Sequence, residues 1–347
     1  MMPRSSKSSS FRALCALLLT ICLSHGVFAQ VPEAPPAAKP IRVLMVGNSF
    51  AANVATYFSA FVKESQQTPI LLVCMKGGCS LQQHAEGLAA SLVNPDSPQA
   101  RIYSKGWFTG SHPGFPKNYN MLESLRAEKW DYVTIQQYSA LSYKPETYEP
   151  YAHQVVDAIR QYAPQAEILV HETWAYREDD ALFKKGDFTQ QKMYDGLKAA
   201  YAKLAADYHL RTIPNGDAFQ AARATERWHY VRDAAFNFAH PSAGTLPVQP
   251  GSLNMGWGWR TDPETQVVSF VLDAHHANVA GKYLGSAVLY ETLTGNDVQK
   301  LTFCPKELDS VAAADLRRIA HETVQLRKAE EAKTAPVVSA AAAPQVK

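Results

Sequence analysis

The stretch IRVLMVGNSFAANVATYF (41–58) decides how this chain folds. Its first part, Ile41–Gly47, is an apolar run of the kind that forms a strand buried on both faces. After Ser49, the residues Val54, Tyr57, Phe58, Phe61 and Val62 recur at helical spacing. A strand therefore hands over to a helix at Gly47-Asn48-Ser49. A serine at such a corner has two readings. It can cap the helix, its hydroxyl accepting from a free N–H. Or it can be a nucleophile, raised over the strand ends beside a helix N-terminus that favours negative charge.

Working outward, PILLVCM (69–75), WDYVTIQQ (130–137), AEILVHETW (166–174) and LRTIPNG (210–216) read as further strands. Helical stretches at 80–92, 147–162 and 189–208 lie between them, and 277–293 and 307–330 read as late helices. Strands alternating with helices imply an α/β fold, a parallel sheet with helices on both faces. Two segments break the rhythm, 94–120 and 229–268, both long, aromatic and rich in Gly and Pro. Long ordered loops in such a domain are often functional, and ligands bind near the carboxyl ends of the strands.

The chain has 347 residues, 46% hydrophobic and 19% charged, a globular balance. A net charge of +2 gives no sign of a nucleic-acid surface. Residues 1–29 read as a secretory signal: Arg4, Lys7 and Arg12 precede the apolar ALCALLLTICL, and Val27 and Ala29 occupy the small-residue cleavage positions. That run is too short for a strong membrane span, and Ile21 before Cys22 disfavours lipidation. The expectation is a secreted or periplasmic protein, with no membrane association after the signal is removed. Residues 30–40 read as a linker, 41–328 as one domain and 329–347 as a disordered tail. Cys74, Cys79 and Cys304 remain after cleavage; Cys74 and Cys79 could close a small loop or be buried free thiols.

A serine nucleophile needs a base, an orienting acid and donors for an oxyanion. In FVLDAHHANVAGKYLG (270–285), Asp273 and His276 stand three apart just before a helix. In a turn, that spacing lets a carboxylate accept from imidazole Nδ1–H and leaves Nε2 to take a serine proton. His275, its neighbour, reads as structural or as a rim residue. KGGCS (76–80) can present a backbone N–H from Gly77 or Gly78, or be only a turn. IQQYS (135–139) ends a strand with two amides, Gln136 and Gln137, one expected toward the site and the other away.

On these residues the sequence resembles the SGNH, or GDSL-like, hydrolases, and within them a bacterial branch that carries GNSF in place of the GDSL block. The resemblance runs from about residue 41 to 295. It implies a three-layer α/β/α sandwich, flavodoxin-like, with five parallel strands. It implies Ser49 as nucleophile, Asp273 and His276 as acid and base, and an oxyanion hole from Ser49, Gly78 and one of Gln136 and Gln137. The usual Gly-x-Asn-Asp block is absent, with QQYS in its place; Asn48 stands for the family's Asp and Phe50 for its Leu.

The implied reaction is ester hydrolysis through an acyl-enzyme, with no cofactor or metal. An acetylated saccharide, or another small ester, is the expected substrate. Trp107, Trp174, Trp257 and Trp259 are placed to stack on a sugar or to pack the loops. Asn48, Glu172, Trp174, Trp257 and Trp259 are the candidate substrate contacts; Glu172 and Arg177 could instead form an ion pair. Two rival readings are a non-catalytic carbohydrate-binding protein and a metal-dependent phosphoesterase built from His84, His171, Asp217 and His275.

Overall fold

The computed structural model describes residues 39–104, 107–109 and 116–334. The expected signal peptide, most of the linker and residues 335–347 lie outside them.

Strand β1 (Ile41–Gly47) leads into helix α1 (Ser49–Glu64) and strand β2 (Pro69–Met75) into α2 (Leu81–Val93). The irregular segment that follows carries β3 (Tyr103–Ser104), β4 (Trp107–Thr109) and β5 (Asn118–Tyr119), then α3 (Met121–Arg126). The regular alternation resumes with β6 (Tyr132–Ile135), α4 (Tyr151–Tyr162), β7 (Glu167–His171), α5 (Gln190–Tyr208), β8 (Arg211–Ile213) and α6 (Asn215–Arg223). A hairpin, β9 (Asn254–Thr261) and β10 (Val268–Ala277), precedes α7 (Val279–Thr294) and α8 (Ser310–Thr334).

The main sheet has the order β4-β2-β1-β6-β7-β8. Its last five strands are mutually parallel. Counted among themselves they run 2-1-3-4-5, the flavodoxin-like order. Right-handed crossovers fix the layers. The path moves outward from β1 to β2 and then returns past β1 to β6, so α1 and α2 lie on opposite faces. Helix α7 packs against both α1 and α8, and α2, α3 and α4 pack with one another. The result is the expected three-layer α/β/α sandwich. Val43, Leu44, Met45 and Val46 in β1 and Leu71, Leu72, Val73 and Cys74 in β2 are buried, because helices cover both faces.

The structure departs from expectation in four places. An antiparallel strand, β4, pairs with β2 at the sheet edge. Part of the 229–268 segment is not loop but the β9 arm of a hairpin, whose β10 partner runs to Ala277. A helix, α6, follows β8 directly. Finally, α8 continues to Thr334, so residues 329–334 are helical rather than the start of a disordered tail. Cys74, Cys79 and Cys304 are free thiols. Burial pushes Cys74 and Cys79 each up to about 12, so both are protonated and inert.

Candidate active site

The corner after β1 is tight. A Cβ on Gly47 would sit 2.7 Å from Ala51 Cβ and 2.9 Å from Gln136 Oε1, so only glycine fits. Asn48, not Ser49, is the helix cap: its Oδ1 accepts from the Phe50 N–H at 2.9 Å. Ser49 is thereby released from capping and becomes the first residue of α1.

The other half of the site comes from the end of β10, where the pairing with β9 shifts register between Asp273 and Ala277. In that irregularity Asp273 Oδ1 accepts from the backbone N–H groups of His275 (3.3 Å) and His276 (3.0 Å). The carboxylate also lies 3.0 Å, through Oδ2, from His276 Nδ1. A carboxylate only accepts, so the imidazole proton sits on Nδ1. His276 Nε2 is then an acceptor, and it lies 2.9 Å from Ser49 Oγ. Asp273 is buried, while the His276 side chain is 39% exposed and open to a substrate. Burial alone would raise the Asp273 pKa. The hydrogen bonds from His276 and Arg260 outweigh it and hold the carboxyl well below the usual range.

Arg260, on β9, was not evident from the sequence. Its Nη2 donates to Asp273 Oδ2 at 2.6 Å. In the hairpin register Arg260 faces Ser269 and Gly256 faces Asp273, which places Arg260 and Asp273 on one face. Knowledge of that register is the signal that would have found it.

Gly78, the candidate oxyanion donor, has a φ of +62°, a left-handed conformation that suits glycine. The Tyr138 ring lies 3.6 Å from where its Cβ would be. Among the described residues, no acceptor takes the backbone N–H of Ser49 or of Gly78.

Five expected contacts are corrected. Asn48 is buried, and it is consumed internally: besides capping α1 it donates to the Cys79 carbonyl at 3.0 Å and accepts from Gln136 Nε2 at 3.0 Å. It ties three sequence blocks together and does not face a substrate. Gln136 and Gln137 are both buried. Gln137 accepts from the Leu81 and Tyr138 N–H groups and donates to Thr147, so its amide braces the start of α2. Neither amide is presented as an oxyanion donor. Trp174 is fully buried, stacked on Phe50 (4.3 Å) and Phe219 (4.4 Å), with its indole N–H donated to the His275 carbonyl at 2.9 Å. Glu172 is buried against Arg327 of α8, and Arg177 pairs with Asp179 instead. Burial, with the Asp217 charge beside it, raises Glu172 to about 8.

Trp257 and Trp259 face Leu272 and Phe270 in the hairpin, opposite to the face that holds Asp273. Trp257 stacks on Phe270 and donates to Asp179; Trp259 donates to the Thr245 carbonyl. They fasten the 229–248 segment to the hairpin. Trp107 lies in β4.

His275 is a rim residue, stacked on Tyr176 with ring centres 3.7 Å apart and 2.9 Å from Asp180. The residues of the metal reading are dispersed into separate roles. His84 bonds the Tyr103 hydroxyl, His171 is buried in β7, and Asp217 is held by Tyr194, Lys198 and Arg327. Among the described residues, the ligand-type atoms that do gather belong to Glu291, Asp297 and His321, between α7 and α8.

A doubly wound sandwich with Ser49, His276 and Asp273 hydrogen-bonded in series over the carboxyl end of its first strand defines a flavodoxin-like α/β protein with a serine–histidine–aspartate relay. More particularly, residues 42–238 match the model of the Domain of unknown function (DUF4886), and the chain belongs to that family. A DUF4886 family protein from Bacteroides uniformis ATCC 8492 has the same fold, with a TM-score of 0.63 and 24% identity over 82% of this chain and 95% of that one. Weaker likenesses include a candidate SGNH hydrolase from Slackia heliotrinireducens (TM-score 0.44, 19% identity, 73% of this chain and 98% of that). Another is a variant of an acetyl-xylooligosaccharide esterase from Geobacillus Stearmophilus (TM-score 0.38, 12% identity, 75% of this chain and 97% of that). No curated protein matches the chain.

Proposed function

We propose that the protein is a secreted or periplasmic serine esterase of the GNSF-bearing SGNH type, acting on small carboxylic esters, acetylated saccharides foremost. The observation that carries this reading is the relay itself: His276 Nε2 lies 2.9 Å from Ser49 Oγ while Nδ1 is fixed by Asp273.

In this reading His276 takes the Ser49 proton as Oγ attacks the acyl carbon, and Asp273 stabilises the imidazolium that forms. The oxyanion accepts from the backbone N–H groups of Ser49 and Gly78, the first strengthened by the N-terminus of α1. His276 then returns the proton to the leaving alcohol. Water, deprotonated by the same imidazole, releases the acid and restores Ser49.

The test is acetate release by residues 30–347 from p-nitrophenyl acetate and from an acetylated xylan, with Ser49→Ala as control. Release that vanishes in the variant is expected. Turnover that survives in Ser49→Ala, or failure of a fluorophosphonate to label Ser49, would refute a serine esterase. Release from the nitrophenyl ester alone would remove the saccharide from the reading.

A further inference from the structure

Arg260 is the one charged side chain from the β9 arm on the Asp273 carboxylate, and ordinary serine relay chemistry does not require it. Its Nη2 sits 2.6 Å from the same Oδ2 that accepts from His276 Nδ1 at 3.0 Å. We propose that Arg260 is a positioning residue that sets the acidity of His276 by acting through Asp273. This rests on reading Ser49, His276 and Asp273 as the catalytic relay.

The argument is electrostatic. A lone buried carboxylate beside an imidazole Nδ1 favours the imidazolium over the free base. A guanidinium on that carboxylate withdraws part of its charge and also repels the imidazolium directly. Both effects work against a second proton on the ring and keep Nε2 available as a base. Among the described residues, few other groups approach His276. Ser49 and Phe50 approach from α1, Phe50 with its ring centre 5.9 Å away. His275 and Asp180 satisfy each other at the rim. Arg260 is therefore the cation placed to oppose Asp273. It is 54% exposed on the hairpin, so its removal leaves the core intact.

Arg260 also holds the carboxylate in place. Asp273 Oδ1 is pinned by the His275 and His276 N–H groups, and Oδ2 by Arg260 and His276. Rotation of the carboxyl group would break bonds on both oxygens.

The test compares wild type with Arg260→Gln and Arg260→Lys by two readouts. One is the His276 titration followed by NMR, the resonance assigned with His276→Gln. The other is the acid limb of kcat/KM on p-nitrophenyl acetate. Arg260→Gln is expected to move both upward by about half to one pH unit, the scale of one charge at this range near a surface. Arg260→Lys, which keeps the charge, is expected to fall between. Superimposable titrations in all three proteins would overturn the proposal. A shifted titration without turnover in any protein would uphold the electrostatic role and overturn the esterase reading instead. A misfolded Arg260→Gln is recognised by its NMR dispersion, and Arg260→Met, which also removes the charge, then decides: an upward shift supports the proposal and an unmoved titration overturns it.

Discussion

Trp174 donates its indole N–H to the carbonyl of His275 at 2.9 Å, while its ring is clamped between Phe50 and Phe219. One buried side chain thus links α1, α6 and the end of β10, the elements around Ser49 and His276. Trp174→Phe keeps most of the apolar surface and leaves that carbonyl without its donor. It should lower stability by about 2 kcal/mol in urea unfolding. Fluorophosphonate labelling of Ser49 should slow as His276 loses its brace.

Asp273→Asn preserves shape but removes the charge, and the amide can present a donor to Nδ1. The imidazole then takes the wrong tautomer for accepting from Ser49. A loss of kcat on the order of a thousand- to ten-thousand-fold is expected, with circular dichroism and melting little changed. A loss under tenfold would contradict the assigned relay.

Asn48→Ala removes a helix cap and two further buried hydrogen bonds at once. The cap alone is worth about 1 kcal/mol, and the Cys79 carbonyl and Gln136 amide are left unpaired in the interior. A loss of about 3 kcal/mol in chemical denaturation is expected, against under about 0.5 kcal/mol for an exposed substrate contact.

The Glu172 site predicts a pH dependence of stability. Burial raises its folded-state pKa to about 8, above the unfolded value near 4.5. Between those values the folded state binds a proton that the unfolded chain has lost, so this group's contribution falls as pH rises through that window. Neighbouring Asp217 is shifted the other way, mainly because the Arg327 charge overcomes its burial, and its contribution is lost only in acid. Melting temperatures from pH 5 to 8 should decline in wild type relative to Glu172→Gln. Parallel curves would contradict the assignment.

Buried, protonated Cys74 and Cys79 should resist a disulfide reagent in the native protein, leaving Cys304 as the accessible thiol of residues 30–347. Titration at pH 8 should count at most one fast thiol before urea and three after it.

The relay was legible because it is local twice over: Ser49 follows an apolar run, and Asp273 and His276 share one turn. The sandwich was legible because buried parallel strands and amphipathic helices write different periods. What escaped was set by tertiary pairing. Nothing in IQQYS says that both amides are spent on Asn48, Leu81, Tyr138 and Thr147. Nothing near Trp174 says that Phe50 and Phe219 will enclose it. The hairpin escaped because glycines at 256 and 258 interrupt the alternation of β9, and with it went Arg260 and the orientation of Trp257 and Trp259.

Asn48 is both donor and acceptor at a junction of three blocks, and this has an evolutionary corollary. An aspartate there, as in the GDSL pattern, could still accept from Phe50 and Gln136 but would set a carboxylate against the Cys79 carbonyl. Drift at position 48 is therefore chained to the path of the 76–80 turn and to the residue at 136. Exchanges at this junction should be tolerated in combination and deleterious singly, so a change at position 48 would have to travel with its partners.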